Sequence, residues 1–140
     1  MLIRSILLLP YLVSTTWALF GSMKNVTVVG QLRCDHLPVR ADVQLWEKDR
    51  IDASDKLNTT MTDNLGRFKI YGQTRELLHI EPYILVNHHC ENGVYNEDCD
   101  IMDRYDVPSS AEGKLHDFGV IALHLGTPKQ KKKCHTKHKE

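Results

Sequence analysis

The chain has 140 residues, 41% of them hydrophobic, with 18 basic side chains against 18 acidic and no formal net charge. That is room for one domain, with a core that buries roughly two-thirds of the unfolded surface. No internal repeat is visible, and no apolar run reaches the roughly 18 residues that a membrane-spanning helix needs, so no transmembrane segment is expected.

Arg4 is a short positive start, Ile6–Val13 is an apolar stretch, and Thr16-Trp17-Ala18 places small residues at the positions a signal peptidase reads. Residues 1–18 therefore read as a secretory signal peptide. The remainder divides into a domain over 19–126 and a tail over 127–140. The neutral total conceals a split: the tail carries six lysines and one glutamate, the domain 11 basic and 17 acidic residues. An acidic body thus precedes a basic end.

Val26–Cys34 is the first predicted strand, with Val26, Val28, Leu32 and Cys34 on one face. Gly30 lies within that series and marks a bulge or a close backbone approach. Asp35–Pro38 is a turn. Ala41–Glu47 alternates, with Val43 and Leu45 inward and Trp46 outward, on a covered sheet face in preference to an exposed contact. Lys48–Leu57 is charged and aperiodic, and reads as a loop. Thr62-Asp63-Asn64-Leu65-Gly66-Arg67-Phe68 is a hairpin tip. Asp63 can accept from the backbone N–H groups just after it, and Gly66 leaves the turn at positive φ. Phe68 and Ile70 then face inward, with Arg67, Lys69 and Tyr71 outward.

Beyond Gly72 a connection could hold a helical turn around Glu76-Leu77-Leu78. Pro82 opens the strand Tyr83–Cys90. An acidic, turn-rich loop leads to Cys99. Ile101–Val107 is a polar strand, read as an edge because Asp103, Arg104 and Asp106 interrupt it. Asp117–Leu125 is the last strand. Short strands separated by turn signals, with no sustained helical period, indicate an all-β sandwich.

These segments resemble the nematode transthyretin-like family. The residues that carry the resemblance are Val28–Cys34, Val43–Glu47, the hairpin Thr62–Phe68, His88-His89-Cys90, Cys99 and Asp117-Phe118-Gly119. The resemblance implies a secreted, immunoglobulin-like β-sandwich of about seven to eight strands. It also implies no generally assigned enzymatic activity. The polar strand Ile101–Val107 and the lysine-rich end depart from the usual pattern.

Four cysteines in a secreted chain suggest two disulfides with three possible pairings. Cys90 and Cys99 bracket a flexible loop and are natural local partners, which leaves Cys34 for Cys134. The rival is a Cys134 free for intermolecular pairing. Asn58-Thr59-Thr60 and Asn25-Val26-Thr27 are N-glycosylation sequons; Asn58, in a polar loop, is the better exposed, while Asn25 precedes a strand. Cys134-His135-Thr136-Lys137-His138 looks metal-like, but a disulfide would consume the thiolate and the neighbouring lysines repel a cation, so no metal or other cofactor is expected. Adjacent His88 and His89 point to opposite faces of a strand. The loop Glu91–Asp100 could offer calcium its oxygens but lacks EF-hand spacing.

For catalysis, Ser109-Ser110 lacks a G-x-S-x-G context. The related hydroxyisourate hydrolases end in tyrosine-arginine-glycine-serine, whereas this chain ends His-Thr-Lys-His-Lys-Glu. A non-enzymatic secreted binding module is therefore expected, with a carrier of small apolar ligands and a hydrolase as alternatives. Its partner would be an extracellular protein, a glycan or an anionic lipid surface, and not nucleic acid. Lys129, Lys131, Lys132, Lys133, Lys137 and Lys139 are the expected anion-binding residues, on an electrostatic arm.

Overall fold

A computed structural model describes residues 21–48 and 54–136. The segment read as a signal peptide, along with Lys137, His138 and Lys139, lies outside the described residues. The strands are β1 (Ser22–Cys34), β2 (Leu37–Pro38), β3 (Asp42–Glu47), β4 (Asp55–Met61), β5 (Arg67–Glu76), β6 (Pro82–His88), β7 (Cys90–Glu91), β8 (Val94–Tyr95), β9 (Cys99–Asp106), β10 (Leu115–Ala122) and β11 (Lys131–Cys134). Two short 3-10 turns, Ser109–Ala111 and Leu123–Leu125, flank β10.

Three of these strands are two-residue pieces; the other eight form a β-sandwich of two main sheets. In the first, β1 pairs antiparallel with β5 and β2 along one side and parallel with β10 along the other. The second runs β11-β9-β6-β3-β4, all antiparallel. A small hairpin, β7-β8, sits at one end.

The period of two decides what is buried. Val26, Val28, Leu32, Phe68, Ile70 and Ile121 of the first sheet meet Val43, Leu45, Ile84 and Val86 of the second, all within the core cluster. Truncating a fully buried member such as Leu45 to alanine costs about 2–5 kcal/mol. Gly30 sits where the β1–β10 register shifts between Val29 and Gln31, and a Cβ there would lie 2.9 Å from the Phe68 ring. It is both a bulge and a close approach.

The hairpin tip follows its sequence. Asp63 Oδ1 accepts from the N–H groups of Leu65 and Arg67, each at 2.9 Å, and Gly66 has φ of 78°. Arg67's backbone N–H leads the contacts that hold the Asp63 carboxyl below its usual range. The Gly66 carbonyl then accepts from Leu32 N–H, which fastens the tip to β1.

Several expectations need correction. The disulfides are Cys34–Cys90 and Cys99–Cys134, with Cα separations of 5.6 and 4.0 Å, in place of the local Cys90–Cys99 pair. Parity explains the exchange. Cys34 and Cys90 are both buried and tie the end of β1 to the β7-β8 hairpin, whereas Cys99 and Cys134 stand directly opposite on β9 and β11. Cys134 is not free.

β9 is not an edge: it lies between β6 and β11. The lysine-rich end is not a loose arm as far as it is described, because Lys131–Cys134 adds to the sheet as β11. Asn58 lies on β4, not in a loop, and Asn25 lies within β1 rather than before it. No helical turn forms at Glu76; β5 runs through it to a bend at Leu77 and Leu78.

Candidate binding face

Along an antiparallel ladder, directly opposed residues point to the same face. On the outer face of the five-stranded sheet this brings Met61, Asp42, Asn87, Met102 and Lys131 into one row across all five strands. The next row is Thr59, Gln44, Leu85 and Arg104, and the one after it contains Trp46, Tyr83 and Asp106. On the other side of the first row, Lys133 stands opposite Asp100. The lysines of β11 reach this face only because β11 pairs with β9.

Trp46 is half-buried on the outer face, as expected, and lies nearly parallel to Tyr83, with ring centroids 6.4 Å apart. The Arg104 guanidinium sits 3.8 Å above the Tyr83 ring and bonds Asp106 at 2.8 Å. A polar chain runs beside them: Trp46 Nε1–H donates to Gln44, Gln44 donates to Asp42, and Thr59 and Asn87 also donate to Asp42. These donors satisfy the Asp42 carboxylate from within the sheet.

Two open hollows lie on this face. One, of about 580 Å³, is lined by Arg40, Met61, Met102, Lys131 and Lys133 together with Asp42 and Asp100. The second, of about 480 Å³, includes Tyr83, Leu85, Arg104 and Lys129. They are neighbours, with Met102 and Lys131 lining both.

The expected anion-binding lysines divide between two environments. Lys129 pairs with Asp106 at 3.4 Å and Lys132 with Glu91 at 2.9 Å. The Lys132 contact is the main reason the Glu91 carboxyl is held below its usual range. Lys131 and Lys133 are exposed and, among the described residues, have no ion pair, as is also true of Arg40. Arg40 had no signal in the sequence, since only the tertiary arrangement puts it beside β11.

Behind the sheet, His88 and Asp103 form a fully buried pair, with Nε2 to Oδ2 at 2.7 Å. Cys90 N–H donates to His88 Nδ1 at 3.0 Å, so the ring proton is on Nε2 and His88 donates to the carboxylate. Thr127 donates to Asp103 through both its N–H and its hydroxyl, and Gln130 Nε2 donates as well. Burial opposes the charge on Asp103, but these hydrogen bonds outweigh it and hold the carboxyl below its usual range.

This pair is not a hydrolase dyad. Both side chains are closed to solvent, and the nitrogen a nucleophile would need is taken by backbone N–H. The expected separation of the adjacent histidines holds: His89 instead donates to the Cys99 carbonyl and lies 3.7 Å from Asp100, which also contacts His135. Glu91, Cys99 and Cys134 converge as metal ligands would, but both thiols are consumed in the disulfide.

Asn58 is exposed, and its amide donates to the Tyr71 carbonyl at 2.7 Å. Asn25 is half-buried within β1 and paired opposite Gln73 of β5.

The model of the Transthyretin-like family matches residues 29–108. The chain belongs to that family. It is 33% identical over 132 residues to Transthyretin-like protein 16 of Caenorhabditis elegans, covering 94% of this chain and 98% of that one. Transthyretin-like protein 2 of the same nematode is 31% identical, over 81% of this chain and 84% of its own length. Transthyretin-like protein 1 is 35% identical, over 78% and 76%. The two disulfides of this family member fit an extracellular setting, and no helix among the described residues is long and apolar enough to cross a membrane.

Proposed function

We propose that this transthyretin-like protein is a secreted, non-enzymatic binding module whose outer sheet face holds an anionic extracellular partner. The observation that carries the reading is the convergence of Arg40, Lys131 and Lys133, none of them in an ion pair among the described residues, around one hollow. Lysine is a hydrated point charge suited to diffuse anionic surfaces, and arginine adds a directional fork. Compared with an arm of six lysines, the site is smaller and fixed. Two of the expected lysines, Lys129 and Lys132, are already paired with carboxylates, and β11 holds Lys131 and Lys133 in register. Lys137 and Lys139 extend the charge beyond the described residues.

The test is binding of the mature chain to heparin and to anionic vesicles at increasing salt. Screening acts over about 8 Å at physiological ionic strength, so binding should weaken steeply. K131Q/K133Q should reduce it several-fold while leaving the fold intact. Unchanged binding in that variant would move the site elsewhere.

A further inference from the structure

The lysine strand ends the five-stranded sheet, and its main-chain groups are only half used. β11 pairs with β9 alone, at one end of the order β11-β9-β6-β3-β4. His135 N–H donates to the Asp98 carbonyl at 2.7 Å, which continues the β9–β11 ladder by one residue. Directly opposed antiparallel residues alternate between bonded and unbonded pairs. His135, Lys133 and Lys131 are therefore the bonded positions, and Lys132 and Cys134 the unbonded ones. Cys99, opposite Cys134, agrees: its N–H donates to Asn96 and its carbonyl accepts from His89, so neither serves β11. The N–H and carbonyl groups of Lys132 and Cys134 thus point out of the sheet, and no described residue bonds them. The strand also overhangs the first sheet. Tyr105 of β9 meets Phe118 of β10 edge to face at 6.1 Å, and β10 ends that sheet, so β11 lies one strand beyond it. All four β11 residues are exposed.

From this open edge we infer that β11 receives an extended acidic segment of a partner polypeptide as an added, antiparallel strand. The segment's main chain bonds Lys132 and Cys134. Carboxylates at alternate positions face Lys131 and Lys133, which have no ion pair among the described residues. Those carboxylates fall on unbonded pairs, where opposed side chains are closest. Asp100 stands on the far side of Lys133 from the incoming strand and is in contact with His135. Lys132 is already paired with Glu91 at 2.9 Å. Charge also decides against other strands. A second copy of β11 would set lysine against lysine, and lysines on a short edge keep sheets from associating. A strand that brings carboxylates removes that repulsion, so the same residues reject one class of partner and select another. The inference rests on the anionic-partner reading and narrows it to a polypeptide, because only a strand supplies backbone bonds in register. Binding requires no covalent step.

The experiment measures binding of a fluorescent peptide of alternating glutamate and threonine to the mature, disulfide-bonded chain, with heparin binding in parallel. Two control peptides have the same length. One carries glutamine for glutamate. The other keeps the glutamates and is N-methylated at each threonine, the positions that would bond Lys132 and Cys134. Both controls should bind at least tenfold less well. K131Q/K133Q should weaken peptide and heparin binding alike. K132P and K132Q lose the same charge and should bind heparin equally. K132P also removes an outward N–H from the edge, so it alone should lose the peptide about tenfold. Equal binding of the N-methylated peptide would overturn strand addition, and equal binding of the glutamine peptide would overturn the selection for acid. Salt-sensitive heparin or vesicle binding with no peptide bound would overturn the inference while leaving the anionic-surface function standing. Binding of neither would remove both.

Discussion

The buried His88 imidazole donates its Nε2 proton to Asp103 at 2.7 Å, and the same carboxylate collects Thr127 and Gln130 from the far end of the chain. Asp103 on β9 is thus the fixed point on which the residues leading into β11 are hung. The strand that carries Lys131 and Lys133 is placed from two sides, by this network before it and by Cys99–Cys134 after it.

Asp103→Asn removes the charge that four donors converge on. Each hydrogen bond to a charged acceptor contributes about 1.5–3 kcal/mol, so losing the common acceptor should cost more than losing any one donor. Thr127→Ala deletes one hydroxyl donor to a charged acceptor and should cost less, about 1.5–3 kcal/mol. Urea unfolding followed by tryptophan fluorescence measures both. A stability change within 0.5 kcal/mol for Asp103→Asn, on the scale of ordinary surface substitutions, would mean the network is not structural.

Acid should weaken the fold through the same carboxylate. The folded-state pKa of Asp103 lies below its unfolded value of about 3.9, so its stabilisation is complete above that value. It is lost as the pH falls through the folded pKa. Asp106 and Glu112 are shifted in the same direction and add to the effect. Equilibrium unfolding at several pH values should show stability falling below about pH 4, with a shallower slope in Asp103→Asn.

Non-reducing peptide mapping should recover Cys34 linked to Cys90 and Cys99 linked to Cys134. The two bridges should differ in effect. Losing Cys34–Cys90, a buried bridge from β1 to the β7-β8 hairpin, should cost about 2–5 kcal/mol. Cys99→Ala/Cys134→Ala should leave the sandwich folded and release β11, seen as faster hydrogen exchange at Lys131 and Lys133.

Gly66 and Gly113 both have positive φ, 78° and 72°, but different surroundings. A Cβ on Gly66 would lie within 2.3 Å of the Leu32 carbonyl oxygen, whereas one on Gly113 meets nothing within 4 Å. Gly113→Ala should therefore carry only the left-handed backbone term, about 1–2 kcal/mol. Gly66→Ala should be clearly worse, and thermal melts of the two variants side by side would reveal an equal loss if the hairpin is free to shift.

In protein from its native source, Asn58 should carry N-glycan and Asn25 should not. The first is exposed on β4, the edge strand; the second is half-buried in β1 and paired with β5. Mass spectrometry after enzymatic deglycosylation reads both sites, and glycan on Asn25 alone would reverse the assignment.

Local chemistry made much of the fold legible in the chain itself. Alternation placed Val26, Val28, Val43, Leu45, Phe68 and Ile70 in the core, because a strand's two faces are set by parity alone. Asp63 and Gly66 specified their turn, because its hydrogen bonds and positive φ lie within five residues. Partners distant in sequence were decided only by the tertiary structure. Proximity in the chain favoured Cys90–Cys99, but the fold brings the β7-β8 hairpin against the end of β1 at Cys34–Cys90, and the β9–β11 register sets Cys99 against Cys134. The aspartate at 103 made β9 look like an edge, when its charge is satisfied inside by His88, Thr127 and Gln130. Arg40 joins Lys131 and Lys133 only because β11 adds to β9. A run of lysines reads as a solvated tail until a neighbouring strand supplies the hydrogen bonds that turn it into one wall of a hollow.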